Sequence, residues 1–242
     1  MAFIHGKATT VLHNTVNLSA YFNDAGANRT VETAETTAFG DSSKSYITGL
    51  QDGTITASGM WDNTASTGSD VVLNTALGVA DAELTIVPGA APAAGTRAIS
   101  ALVESTSYDI TSPIGDVVSI SADFQGDGGV DSGLCLSALA SVTATANGTA
   151  QDNTSSTANG GAAYLHATVN THNGTTIVKI QHSADNITYA DLATFATVSA
   201  STTASERVVV AAGTTVNRYV RATWTLAGST GGITNLVTFA RR

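Results

Sequence analysis

Cysteine is almost absent from this chain of 242 residues. Cys135 stands alone, so no intrachain disulfide framework exists, and no Cys/His set has zinc-ligand spacing. Proline is scarce, with three residues, and polar low-complexity runs are missing, which argues against disorder. Charge is thin too: 12% of residues are Asp, Glu, Lys or Arg, and the shortage of Lys and Glu disfavours long solvated helices. No apolar run approaches the ~18 residues that span a membrane. The opening Met1 to Lys7 lacks the basic, apolar, small-residue layout of a signal peptide. These two absences predict synthesis in a cytoplasm and no membrane partner. Nor is there a G-x-S-x-G, Walker, Rossmann or H-E-x-x-H pattern. Asp123, Asp127 and Asp131 stand four apart where a calcium loop needs spacings of two. His166, His172 and His182 are scattered over strands and loops. Catalytic residues, metals and cofactors are therefore not expected, and the chain does not read as an enzyme.

What is present is Thr, Ser, Ala, Val and Gly, with 43% of residues hydrophobic. That composition favours strands joined by Gly and Asn/Asp turns, an all-β class. The length suits one large β domain or two smaller ones. The net charge of −9 is unevenly placed: Met1 to Cys135 holds 4 basic against 15 acidic residues, a net of −11, and Leu136 to Arg242 holds 6 against 4, a net of +2. This asymmetry points to two domains, 1–138 and 139–242. The acidic part is a poor candidate for gripping nucleic acid, because phosphate binding needs Lys and Arg.

The most informative stretch runs from Tyr46 to Asp62. Gly49 and Gly53 can take positive φ and Asp52 can cap its own turn, which predicts a corner there. The strand that follows alternates Ile55, Ala57, Gly59 and Trp61 with Thr54, Thr56 and Ser58, and is half-buried by that pattern. A helix is expected over Asp70 to Leu77, with Ser69 as N-cap, Gly78 as stop and Val72, Leu73, Ala76 and Leu77 as its apolar stripe. Before it, Lys7 to Asn14 reads as a strand, with His13 as a strand residue. Arg29 to Gly40 reads as one exposed strand of a Thr/Glu-rich hairpin guarded by Glu32 and Glu35. Further strands are expected over Ala82 to Val87, Arg97 to Tyr108 and Val117 to Phe124, with Gln125 to Gly133 as a Gly/Asp loop. In the second part strands are expected over Ala163 to Val169, Thr176 to His182, Thr188 to Phe195, Glu206 to Val210, Arg218 to Leu226 and Ile233 to Ala240, a sandwich pattern.

The order of an N-terminal strand, a Thr-rich hairpin, Tyr46-Ile-Thr-Gly-Leu-Gln-Asp-Gly-Thr-Ile55, a short helix and Val117-Val-Ser-Ile-Ser-Ala-Asp-Phe124 resembles the major tail tube proteins of long-tailed bacteriophages. The opening Ala2-Phe-Ile-His-Gly-Lys7 is similar to theirs as well. The resemblance implies a β-sandwich or barrel with one flanking helix, and a structural virion protein. Six such subunits form a ring, and rings stack around a lumen through which DNA passes without specific binding. It also implies a tape measure protein and tail-tip and terminator proteins as partners, and a place in the virion tail after synthesis in the bacterial host. By position, Arg29, Glu32, Glu35, Phe39 and Lys44 become candidates for inter-ring and inter-subunit contact, and Glu32, Glu35 and Asp123 for acids of the lumen. The second part resembles a galactose-binding-like jelly roll through Val178-Lys-Ile-Gln-His-Ser-Ala-Asp-Asn-Ile-Thr-Tyr189 and Arg218-Tyr-Val-Arg221, which implies a C-terminal decoration domain. There Tyr164, His182, Tyr189 and Trp224 are either a stacking platform for a glycan or plain packing. The alternative function is accordingly a glycan-binding decoration or receptor-contacting virion protein.

Overall fold

A computed structural model describes residues 5–242, so residues 2–4 of the resemblance at the start lie outside the described residues. After a 3-10 turn at Gly6–Ala8 come β1 (Thr10–His13), β2 (Val16–Asn17), β3 (Phe22–Glu35), β4 (Tyr46–Met60), the helix α1 (Ser69–Ala76), β5 (Ala82–Val87), β6 (Arg97–Thr111) and β7 (Ser119–Cys135). Then follow β8 (Ala140–Val142), β9 (Ala146–Asn147), β10 (Gln151–Asp152), β11 (Gly161–Asn170), β12 (Thr175–Ser183), β13 (Ala190–Thr194), β14 (Ala204–Val210), β15 (Tyr219–Ala227) and β16 (Ile233–Arg241). The protein is all-β with one short helix, as its composition predicts.

The larger sheet runs β14-β11-β16-β7-β6-β5-β1-β2; β4 joins it on β7 and carries β3, and β8 lies beside β16. The smaller sheet runs β10-β15-β12-β13, with β9 on β15. Apolar residues gather in three clusters. One lies within the first part and includes Ile55, Leu73, Leu84, Val103, Ile120 and Phe124. A second lies from Leu136 onward and includes Leu165, Ile180, Phe195, Trp224 and Val237. A small third cluster of Leu12, Val87, Ala98, Cys135 and Leu236 takes residues from both parts. Fully burying one such side chain stabilises the fold by about 1.5–3 kcal/mol.

The parts also meet through buried polar groups. His166 Nδ1 lies 2.7 Å from the Asn14 carbonyl, which only accepts, so that nitrogen carries the proton. Nε2 is left to accept from Thr85 Oγ1 at 2.8 Å. Thr85 then accepts from Ser100 at 2.8 Å, and Ser100 from Thr238 at 3.0 Å. A single tautomer thus orients four side chains from both parts. Nearby, buried Asp131 accepts from Tyr164 at 2.8 Å and from Arg242 at 3.1 Å, with Arg207 at 3.7 Å.

Three local expectations are corrected. The strand is continuous through Gly49 and Gly53, neither of which has positive φ, so there is no corner. Gly53 is required by space instead: a Cβ there would stand 2.6 Å from the Asn28 carbonyl oxygen and 2.7 Å from Val130 Cγ2. The segment 125–133 is not a loop but the middle of β7, bent by positive φ at Gly128 and Gly129. Finally, Gly68 is the N-cap of α1; Ser69 is its first residue and donates its hydroxyl to the Met60 carbonyl at 2.8 Å. Gly78, at φ +71, stops the helix as expected.

The buried histidines set an acid limit. Burial lowers the pKa of His166 to about 4, with a further lowering by His13, and burial alone lowers His13 to about 4. An unfolded imidazole titrates near 6.5, so between these values the unfolded chain binds more protons. Stability is therefore complete above about pH 6.5 and is lost as the pH falls through 4, by roughly 3 kcal/mol per histidine at full extent. Urea denaturation at pH 7.5, 6, 5 and 4 should show the midpoint falling across this window, and His166→Asn should flatten the slope.

Candidate functional site

Two surfaces of the first part have no structural work within the monomer. One is a projecting ribbon. β3 and β4 pair from Phe22↔Gly59 to Glu35↔Tyr46, but β4 has β7 on its other side only from Met60 to Thr54. Beyond that point two strands stand alone. Every residue from 27 to 52 is exposed, including Val31, Tyr46, Ile47 and Leu50, and Phe39 at the tip is completely exposed. The tip is shaped by Asp41, whose carboxylate accepts from the Ala38 N–H at 2.8 Å, and by Thr36 N–H donating to the Ser45 carbonyl at 2.8 Å.

The five contact candidates all fall on this ribbon. Arg29 is at its base opposite Gly53, Glu32 sits at the bulge between Val31 and Thr33, and Phe39 is at the tip. Glu35 and Lys44 are brought together as an ion pair of 3.1 Å, both exposed, which adds little stability in water.

The second surface is the polar face of the sheet at the ribbon's root. Directly opposed residues of an antiparallel ladder share a face. The register Gly26↔Thr56↔Asp123 and Asp24↔Ser58↔Ser121↔Asp109 therefore places these side chains together. Thr54↔Gln125↔Glu104 continues the face, and the Gln125 amide donates to Asp52 at 2.5 Å. Asp24, Asp52, Glu104, Asp109 and Asp123 thus share a face otherwise made of hydroxyls and amides, and the residues named on it include no Lys or Arg. Ser107 donates to Asp123 at 2.8 Å, which fixes that carboxylate. Of the three predicted lumen acids, Asp123 lies in this face, whereas Glu32 and Glu35 stand apart on the ribbon. Sequence reasoning missed Asp24, Asp52, Glu104 and Asp109. The alternation along each strand carried their signal, but only the register joins four strands into one face.

The four aromatic and histidine candidates do not form a platform. Tyr164 is fully buried and donates to Asp131, and Trp224 is buried with its indole N–H donating to Asn235 at 3.0 Å. His182 is half-buried and accepts from the Asn217 N–H at 3.2 Å. Tyr189 is half-buried under the Arg221 guanidinium, 3.7 Å from its ring centre, with its hydroxyl donating to Asn186. Arg221 and Trp224 stand three residues apart on β15, on opposite faces of the sheet. Packing accounts for Tyr164 and Trp224. Among the described residues, no group of three or more His, Cys, Asp or Glu could hold a metal ion.

No family model matches the chain, and no curated protein matches it. Solved structures with similarity include a chain of the virion of a native gene transfer agent particle (TM-score 0.42, 12% identity, covering 52% of this chain and 95% of that one). A chain of the tail of an empty gene transfer agent particle with C6 symmetry has a TM-score of 0.38 and 10% identity, covering 46% of this chain and 80% of that one. The Dit protein of SPP1, described as a paradigm of the hub adsorption apparatus in phages infecting Gram-positive bacteria, has a TM-score of 0.38 and 11% identity over 96% of this chain and 98% of that one. All three TM-scores fall below 0.5.

At the root of the ribbon Gly53 leaves no room for a side chain. Gly53→Ala should destabilise the protein by roughly 1–3 kcal/mol through overpacking against Asn28 and Val130. Gly49→Ala, whose added Cβ would meet the Glu32 Cβ at 3.1 Å on the exposed ribbon, should cost far less. Denaturant midpoints of the two variants, measured side by side, check this.

Proposed function

We propose that the protein is a structural virion protein, a major tail tube subunit that assembles into stacked hexameric rings enclosing an acidic lumen through which phage DNA passes. The observation that carries this reading is the ribbon of residues 27–52, exposed on both faces over its whole length. An isolated two-stranded hairpin is marginal in water. With Val31, Phe39, Tyr46, Ile47 and Leu50 in solvent, it gains stability when another molecule covers it. The order of elements in residues 1–138, which resembles the tail tube family, supports the same reading.

In this reading the face of Asp24, Asp52, Glu104, Asp109 and Asp123 lines the lumen. DNA carries one negative charge per ~1.7 Å of axis. Carboxylates within a Debye length of ~8 Å repel it. Residues 139–242 form the part that faces outward as a decoration domain. The tape measure protein would occupy the lumen before DNA, tail-tip and terminator proteins would bound the tube, and the protein would reside in the virion tail.

Negative-stain microscopy of the concentrated protein should show hollow tubes or six-fold rings bearing outward knobs. Monomers at every concentration and salt, also after seeding with sheared tubes or tail tips, would overturn the proposal. The lumen assignment has its own test. Tubes of the Glu104→Lys/Asp123→Lys variant should retain short duplex DNA in a gel shift that 0.3 M salt abolishes, whereas tubes of the natural sequence should retain none.

A further inference from the structure

A cavity of about 470 Å³ lies where the two parts meet, with Arg97, Leu134 and Phe239 in its wall. These three residues pair across β6, β7 and β16, so their side chains share one face of the larger sheet. Ser132, two residues before Leu134, and Arg241, two beyond Phe239, also line the cavity and belong to that face by alternation. The strands are antiparallel, so Ser132 and Arg241 fall at one level. There β16 stays close beside β7, since a Cβ on Gly133 would run into the Phe239 carbonyl oxygen. Arg97 reaches toward the same level, because its Nη1 donates to Ser132 Oγ at 3.0 Å. Two guanidinium groups are thus brought to one cavity, with Asn153 of the second part also in its wall.

No Asp or Glu lines this space. Lys44, Lys179, Arg207, Arg218 and Arg242 each have a carboxylate partner, whereas Arg97 and Arg241 have none among the described residues. The acids adjacent in sequence to the walls are engaged elsewhere: Asp131, beside Ser132, pairs with Arg242 at 3.1 Å, and Asp152, beside Asn153, pairs with Arg218 at 2.6 Å. Arg241 is the more constrained cation. Its Nη2 donates to the Ser155 and Val216 carbonyls at 2.7 and 3.3 Å, its Nε is buried without a partner among the described residues, and burial lowers its pKa. A desolvated charge without an opposite charge is unfavourable, and an anion beside it offsets that penalty. In a chain of net charge −9 the cavity is a positive site on a mainly negative molecule.

We infer that this cavity binds a phosphate group, free or carried by a small organic ester, between the Arg97 and Arg241 guanidiniums. The inference goes beyond the tube-subunit reading and does not depend on it. Three features select this chemistry. Guanidinium forks match phosphate oxygens bidentately, and two forks from different strands suit a tetrahedral oxyanion better than a planar carboxylate, which one fork already fills. Ser132 Oγ accepts from Arg97 and donates to no protein group among the described residues, so its O–H is left for an oxygen of the ligand. Finally, the volume is that of a small-molecule cleft and exceeds what a lone phosphate needs, and Leu134 and Phe239 supply an apolar wall on which the carbon skeleton of an ester can lie.

Isothermal titration calorimetry of the full chain, in phosphate-free buffer with ionic strength held constant by NaCl, tests the site. Inorganic phosphate and glycerol 3-phosphate are the probes, and glycerol is the control. The expected result is saturable binding of one phosphate group per chain and no binding of glycerol. Tighter binding of the ester than of phosphate would support a carrier lying on the Leu134 and Phe239 wall, and equal binding would support a site for the phosphate group alone. Arg97→Gln, a change at an exposed side chain, should weaken binding roughly tenfold or more through lost charge-assisted hydrogen bonds, while its melting temperature without ligand stays that of the natural sequence. Arg97→Lys keeps the charge but loses the fork and should fall between the two. Arg29→Gln removes another arginine that has no carboxylate partner among the described residues, and should leave binding unchanged. No saturable heat with either probe at two temperatures, or equal binding by Arg97→Gln and the natural sequence, would overturn the inference.

Discussion

The two edges of β7 govern the shape of this molecule. One edge is bonded to β6 along most of its length, from Ser119↔Thr111 to Leu134↔Arg97. The other edge is divided: β4 takes residues 119–125 and β16 takes Leu134 and Cys135. Two strands cannot occupy one edge at one level, so β4 leaves the sheet before β16 arrives. The gap between them contains the bent Gly128–Gly129 segment and buried Asp131. The ribbon of β3 and β4 beyond Thr54 therefore lacks a third strand by construction. Its exposure is a consequence of sheet topology, and its root is held rigid where Gly53 packs without a side chain against Asn28 and Val130.

The same gap explains how the second part is fastened. Because β16 reaches β7, the larger sheet continues from the first part into the second, and its weak pairing of two residues is supplemented by buried polar groups. Asp131 accepts hydrogen bonds from Tyr164 and Arg242 and has the Arg207 guanidinium 3.7 Å away, three positions that come together only in the fold. A buried carboxylate deprived of its partners costs 3–5 kcal/mol, so the register of β7, β11, β14 and the C-terminal residue is over-determined there. The His166 chain acts similarly: only the Nδ1–H tautomer satisfies both Asn14 and Thr85, and it does so only in one placement of β11 against β1 and β5.

What the sequence revealed depended on whether the signal was local. The alternation of Ile55, Ala57 and Gly59 with Thr54, Thr56 and Ser58, and of Ile120, Ala122 and Phe124 with Ser119, Ser121 and Asp123, marked strands whose buried sides are as expected. The Leu73-centred helix and its Gly78 stop were equally visible. Glycine misled where its reason was not conformational. Gly49 and Gly53 suggested a corner, and the 125–133 run suggested a loop, yet β4 and β7 pass through both. A glycine needed for close backbone approach and one needed for positive φ look alike in one chain. The acidic face stayed hidden because Asp24, Glu104, Asp109 and Asp123 are neighbours only through register, and bulges at Phe22/Asp24 and Ser105/Ser107 shift that register out of simple counting. For Tyr164 and Trp224 residue type left a stacking platform and plain packing open, and packing is what the fold shows: each buries its ring and satisfies its polar tip inside.

In the proposed tube, the acidic face would oppose assembly. If the proposed ring forms with this face inward, its closure brings copies of Asp24, Asp52, Glu104, Asp109 and Asp123 around one axis, and like charges ~4 Å apart repel by about 1 kcal/mol per pair even in water. This repulsion is screened over ~8 Å at physiological salt, so it weakens but does not vanish. Assembly then requires a driving term insensitive to charge, and the exposed apolar residues of the ribbon supply it at about 25 cal/mol per Å² covered. The division is spatial: the face of Asp24, Asp52, Glu104, Asp109 and Asp123 lies at the root, and Phe39, Tyr46, Ile47 and Leu50 lie out on the ribbon beside Glu32 and Glu35. Separating the two would allow the proposed tube to keep the repulsive face without forfeiting cohesion, and its assembly would then strengthen, not weaken, as salt rises.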